Sequence, residues 1–117
     1  MMALGVGIGG GLGALARHGL TVGAGPWATV AVNLIGCLVA GWVAGATPPE
    51  RLGTAWHLAA TAGFLGGFTT WSSFAVQVAA RIRAGDAIGA ATLAGATVAA
   101  CLAAASAGLW LGAQRGA

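Results

Sequence analysis

Almost the whole chain is taken up by four apolar stretches, each long enough to cross a bilayer, and the few charges sit at or near their edges. A hydrocarbon core of about 30 Å needs about 20 apolar residues in a helix. Seven charged side chains among 117 residues cannot coat a water-soluble globule, given that ordinary domains carry about 25%. Disorder is excluded by the same hydrophobicity. The net charge of +3 comes from five arginines against Glu50 and Asp86, with no lysine and no basic run. A nucleic-acid partner is therefore not expected, and the chain reads as a single integral membrane domain spanning 1–117.

The first stretch runs from about Ala3 to Val22, with Arg17 and His18 late in it. It has no basic segment before it, so it reads as a retained helix rather than a signal peptide. The second runs from about Pro26 to Ala46, and Pro26 suits a first helical turn, where a missing N–H is no loss. Thr47-Pro48-Pro49-Glu50-Arg51 stops it. The third runs from about Thr54 to Arg83, about 30 residues and too long for one straight span. The fourth runs from about Ala87 to Gly112, followed by a tail ending at Ala117. Lipid leaves no partner for unpaired backbone, so these stretches are helices, and the polar alternation of a barrel strand is absent. Short loops predict that successive helices are antiparallel neighbours.

Gly5, Gly9 and Gly13 recur every fourth residue, as do Gly41 with Gly45 and Ala40 with Ala44. Small residues at that spacing let membrane helices approach closely. Trp27, Trp42, Trp56 and Trp110 fall where interfaces belong, whereas Trp71 falls mid-span. With four spans, Arg51 and Arg115 share one side, and Arg81, Arg83 and Arg17 the other. This near balance defeats the positive-inside rule, so the chain can insert either way round, which permits an antiparallel, dual-topology homodimer.

Candidate chemistry is sparse. Gly5-x-Gly7-x-x-Gly10 has the dinucleotide spacing, but no strand precedes it. Cys37 and Cys101 read as small buried hydrophobes without metal-ligand spacing. Arg17 either snorkels to the headgroups or concentrates anions at a pore mouth. His18 and His57 read as interfacial. Asn33 lies mid-helix, one turn after Thr29 and on its face. Its amide requires hydrogen bonds, either to a neighbouring helix or along a polar pathway.

The third stretch carries the strongest signal. Gly63-Phe64-Leu65-Gly66-Gly67-Phe68-Thr69-Thr70-Trp71-Ser72-Ser73-Phe74 sets three glycines beside four hydroxyls at the centre of an overlong span. Glycine weakens a helix, and Thr and Ser compete for its backbone bonds, so a break is expected here. Broken backbone at that depth survives only when buried in protein or lining a cavity, and its freed carbonyls suit a hard cation such as sodium. Trp71 and Phe74 share a face, and their electropositive ring edges suit a small anion. The Thr70 and Ser73 hydroxyls add donors.

These residues resemble those of the small bacterial fluoride channels, the camphor-resistance-type fluoride exporters, over nearly the whole chain. Gly10-x-x-Gly13-Ala14-x-x-Arg17 is similar to the family's first-helix motif, and Thr29-x-x-x-Asn33-x-x-Gly36 to its second. Gly63-Phe64-x-Gly66-Gly67-x-Thr69-Thr70-x-Ser72-x-Phe74 is similar to its third. The resemblance implies a four-helix, dual-topology homodimer with two antiparallel fluoride pores in the bacterial inner (cell) membrane. It implies a structural sodium ion at the dimer centre on the carbonyls of Gly66 and Thr69. It also implies a fluoride box of Trp71 and Phe74, with Asn33, Thr29, Ser106 and the vestibule Arg17 along the route. Trp71 departs from the phenylalanine usual in the family, and the chain has no tyrosine.

Fluoride is tightly hydrated, so a pore must replace its water with donors held loosely enough to release it. No catalytic cluster or ATP site is present, and transport is expected to be passive; the chain is not expected to be an enzyme. A proton-coupled multidrug transporter has similar size but needs a membrane-embedded carboxylate, and Glu50 and Asp86 lie in loops. A structural membrane subunit would explain the glycines but not the hydroxyl and aromatic cluster.

Overall fold

A computed structural model describes residues 1–115, and the last two residues of the expected tail lie outside them. The described chain is helical. Helix α1 spans Met2–Thr21 and α2 spans Trp27–Ala46. The turn between them uses Gly23 and Gly25 at φ of 71° and 75°, a backbone state that side chains resist. Pro26 forms the N-cap of α2, and a short 3₁₀ turn at Pro49–Arg51 follows it.

The third stretch is irregular. It opens with α3, Ala55–Leu58, capped by the Thr54 hydroxyl, and continues as a seven-residue π-helical stretch, Ala59–Leu65. The short α4, Gly66–Phe68, then stops. Thr69 and Thr70 are extended, and α5 runs from Trp71 to Arg83. The expected break is therefore present, but it falls after the glycines, at the two threonines. Gly66 and Gly67 remain helical, and Gly67 serves packing: a Cβ there would overlap the Gly10 carbonyl.

Helix α6 spans Ala87–Arg115 and runs three residues past the expected end at Gly112. Gly112 is a packing site rather than a stop, since a Cβ there would overlap the Trp42 carbonyl oxygen. Arg115 suits the negative end of the helix dipole.

The principal helix pairs are not sequential neighbours. Gly41 meets Ala105, Gly45 meets Leu109, Gly108 meets Leu38, and Gly112 meets Trp42. Residue numbers rise together along this seam, so α2 and α6 run parallel. Gly9 meets Ala59, and Gly13 meets Phe64 and Phe68, so α1 runs parallel to the third stretch in the same way. At each seam a methyl group would strike backbone, and only glycine allows the approach. The Ala40 and Ala44 stripe instead faces outward.

By length and composition, α2 and α6 are the two helices apolar enough to cross a membrane among the described residues. Helix α1 has 20 residues with glycine throughout, and the third stretch is divided by its π-turn and break. Nearly every large apolar side chain on the outside is exposed, including Trp27, Trp42, Trp56 and Trp110. The buried side chains include Val32, Phe68, Phe74, Ala90 and Leu93, together with the polar Thr29, Asn33, Thr70 and Thr97.

Candidate functional site

The break orders the polar groups around it. A helix would close the Thr70 N–H onto the Gly66 carbonyl, four residues back. Here that N–H donates instead to Asn33 Oδ1 at 2.7 Å, and Asn33 Nδ2 donates to the Thr70 carbonyl at 2.9 Å. Asn33, at 9% exposure, thus clamps both backbone groups of one extended residue. The amide makes the interhelical bonds expected of it, and the side chain also lines a cavity.

The break also separates two kinds of backbone end. On the carbonyl side, the Gly66 oxygen has lost its helical donor to Asn33. The Ser73 N–H, which would otherwise serve the Thr69 oxygen, donates to Thr70 Oγ1 at 3.2 Å. Arg17 Nε donates to the neighbouring Gly67 carbonyl at 3.2 Å. The side chain is half-buried and turned onto the third stretch rather than out to solvent. On the other side, α5 begins with Trp71, so its first N–H groups and positive dipole end open at the break. Such a terminus attracts anions.

A cavity of about 340 Å³ opens beside this terminus. Asn33, Thr69 and Thr70 form its polar wall, Trp71 and Phe74 a second wall, and Thr97 and Cys101 of α6 a third. Trp71 and Phe74 have centroids 5.1 Å apart and planes tilted by 54°, so ring edges and faces alternate around the opening. Phe74 is buried at 5% exposure, whereas the Trp71 indole is 72% exposed.

The remaining expected residues divide. Thr70 and Ser73 are together, with Thr70 Oγ1 also donating to Ser73 Oγ at 3.3 Å. Thr29 is buried one turn from Asn33, and its hydroxyl accepts from Gln77 Nε2 at 3.0 Å. Ser106 is not brought to the cavity: it is exposed, and its hydroxyl donates to the Leu102 carbonyl of its own helix at 2.8 Å. The α6 hydroxyl at the cavity is that of Thr97, nine positions away and so two and a half turns round the helix. Its four-residue step to Cys101 and Ala105 is a signal that marks this face. Gln77 also escaped the sequence reading, although it lies one turn after Phe74 on the same face. Its Oε1 is buried without a partner among the described residues.

The family model described as CrcB-like protein, Camphor Resistance (CrcB), matches residues 4–109, from the first turns of α1 nearly to the end of α6. The chain belongs to the CrcB-like family. A relative from Natronomonas pharaonis, "Fluoride-specific ion channel FluC 2", is 44% identical over 115 residues, covering 97% of this chain and 96% of its own. "Fluoride-specific ion channel FluC" of Hyphomonas neptunium is 37% identical, covering 91% of each chain. The protein of that name from Rhodospirillum centenum is 43% identical over 102 residues. The CrcB-like match takes in the Asn33 clamp, the break and the cavity wall of α6 together.

Proposed function

We propose that this CrcB-like chain is a fluoride-selective channel that exports fluoride passively and so lowers its cytoplasmic concentration. The observation that carries the reading is the break clamped by Asn33, which turns the N-terminus of α5 and the Trp71–Phe74 pair into one cavity. Relatives at 37% and 44% identity over nearly the whole chain are named fluoride-specific ion channels. A desolvated fluoride finds there backbone N–H groups, hydroxyl donors and ring edges, without a fixed cation inside the cavity to trap it. Thr29, Thr70, Ser73 and Gln77 extend the donors along α2 and α5, and Thr97 adds one from α6. Arg17 acts from the side, holding the carbonyl end of the break and raising the local anion concentration.

The working unit is an antiparallel, dual-topology homodimer in the bacterial inner (cell) membrane, multi-pass and lipid-embedded. Its support is the balance of arginines and the largely exposed, apolar exterior of the single chain. A structural sodium ion fits the carbonyls of Gly66 and Thr69. Both have lost their helical donors, and carbonyl oxygen is the donor a hard cation takes. Bound there, the ion would neutralise carbonyl dipoles and fix the break. A multidrug transporter is not favoured, since the carboxylates Glu50 and Asp86 lie outside the spanning helices.

The test is fluoride efflux from sodium-loaded proteoliposomes, followed with a fluoride electrode. Rapid efflux with no matching chloride release is expected. Equal release of both ions, or of neither, contradicts the reading.

A further inference from the structure

The cavity also has a chemical character that fluoride transport leaves unused. Along the parallel α2–α6 seam, Gly41 lies against Ala105 and Gly45 against Leu109. Carried back one helical turn, that register pairs Cys37 with Cys101, and one turn further it pairs Asn33 with Thr97. All four residues line the same cavity. Both thiols are free and half-buried, and the register sets them opposite each other across the seam. Because the backbones one turn away are in contact, Cys37 and Cys101 sit at matching levels of a close-packed wall.

We propose that Cys37 and Cys101 form a site for a soft, two-coordinate divalent cation of the mercury(II) type, and that filling it closes the cavity. Each thiol gives up its proton and each sulfur forms one bond to the metal. Two thiols and one divalent ion thus yield a neutral bis-thiolate and two protons, with no change of oxidation state. Thiolate is the ligand that soft cations select, and binding is coupled to proton release. Neutrality matters in an apolar wall, where a monovalent soft ion held by two thiolates would leave a buried net negative charge, and held by one would leave the second thiol protonated. Zinc prefers four ligands. Among the described residues no cluster of three His, Cys, Asp or Glu exists to supply them. The closure half rests on the channel reading, whereas the binding half does not.

Purified, reduced protein is titrated with mercuric acetate, following mercury–thiolate charge-transfer absorbance and the maleimide-reactive thiols that remain. The absorbance is expected to saturate at one mercury per chain with both thiols protected, and zinc at the same concentration should protect neither. Cys37→Ser and Cys101→Ser should each lose mercury to glutathione at concentrations that leave the parent loaded. Two mercury ions per chain, a mercury-linked dimer on a non-reducing gel, or single variants that hold mercury as tightly as the parent would overturn the site. In proteoliposomes each protein is compared with its own untreated efflux. The parent should lose fluoride efflux on mercury addition and regain it with a dithiol, while the double serine variant should not respond. Loaded parent protein that still conducts at its untreated rate overturns the closure. Untreated protein that carries no fluoride overturns the channel reading and the closure with it, and the titration still decides the site.

Discussion

The two parallel helix pairs use the same device and reach different ends. In the α2–α6 pair, Gly41, Gly45, Gly108 and Gly112 bring two uninterrupted helices into backbone contact. In the pair formed by α1 and the third stretch, Gly9, Gly13, Gly63 and Gly67 do the same, but one partner carries a π-turn and a two-residue break. The regular pair satisfies its backbone internally. The irregular pair borrows partners from side chains, Asn33 from α2 and Arg17 from α1. Close packing is thus the common scaffold, and the chemistry lies where the backbone leaves the helix.

The largest effect should come from prising the regular pair apart. Gly41→Leu drives a side chain into the Ala105 carbonyl, an overpacking of about 3 kcal/mol. It should abolish monodisperse protein on size exclusion, whereas Gly19→Leu, which meets open space within the chain, should not. Normal yield and melting of Gly41→Leu would mean that the seam is not close-packed in the membrane.

Asn33→Ala comes next. It strands a buried N–H and carbonyl at Thr70, with an expected loss of about 2 kcal/mol and of most fluoride efflux. Asn33→Asp keeps the acceptor for the Thr70 N–H and should fall between the two. A folded Asn33→Ala protein with parental efflux would break the link between clamp and transport. Arg17→Met removes one bond to Gly67, worth about 1 kcal/mol, and should reduce efflux less than Asn33→Ala does. Efflux rates compared at low and high salt would check its electrostatic part, which high salt should erase.

The smallest effect is expected at Trp71. Its ring is 72% exposed, so Trp71→Phe should change stability by less than about 0.5 kcal/mol. Efflux should persist if the ring edge is the contact. A sharp fall would assign the role to the indole N–H instead, because a charge-assisted bond to the anion would be lost.

Much of this was legible in the sequence, for physical reasons. Apolar length and punctuation set the helix ends: Thr54 caps α3, and α5 ends at Arg83. A break near the centre of the third stretch followed from glycine beside threonine, and it falls at Thr69 and Thr70 rather than at the glycines. Glycine's two uses, weakening a helix and packing one, are indistinguishable without the neighbouring helix, and here packing won at Gly67 and Gly112. Partner choice was hidden for the same reason, since a glycine face does not name what it packs against. The pairing of Cys37 with Cys101 required the register of two helices distant in sequence. Thr97 was reachable from helical periodicity alone, whereas Ser106 points away from that face.

The central claim is that transport depends on the broken region and the cavity beside it, while the glycine seam of the α2–α6 pair is scaffold. It is tested most directly by fluoride efflux from proteoliposomes holding Phe74→Ile, set beside Leu109→Ala on the α2–α6 seam. Phe74 is buried at the cavity and lends it a ring edge that isoleucine lacks, whereas Leu109 lies outside the cavity and is 51% exposed. With both variants folded, Phe74→Ile should lose most of its efflux and Leu109→Ala should keep it. Parental efflux from Phe74→Ile, or equal losses in both, would contradict the account.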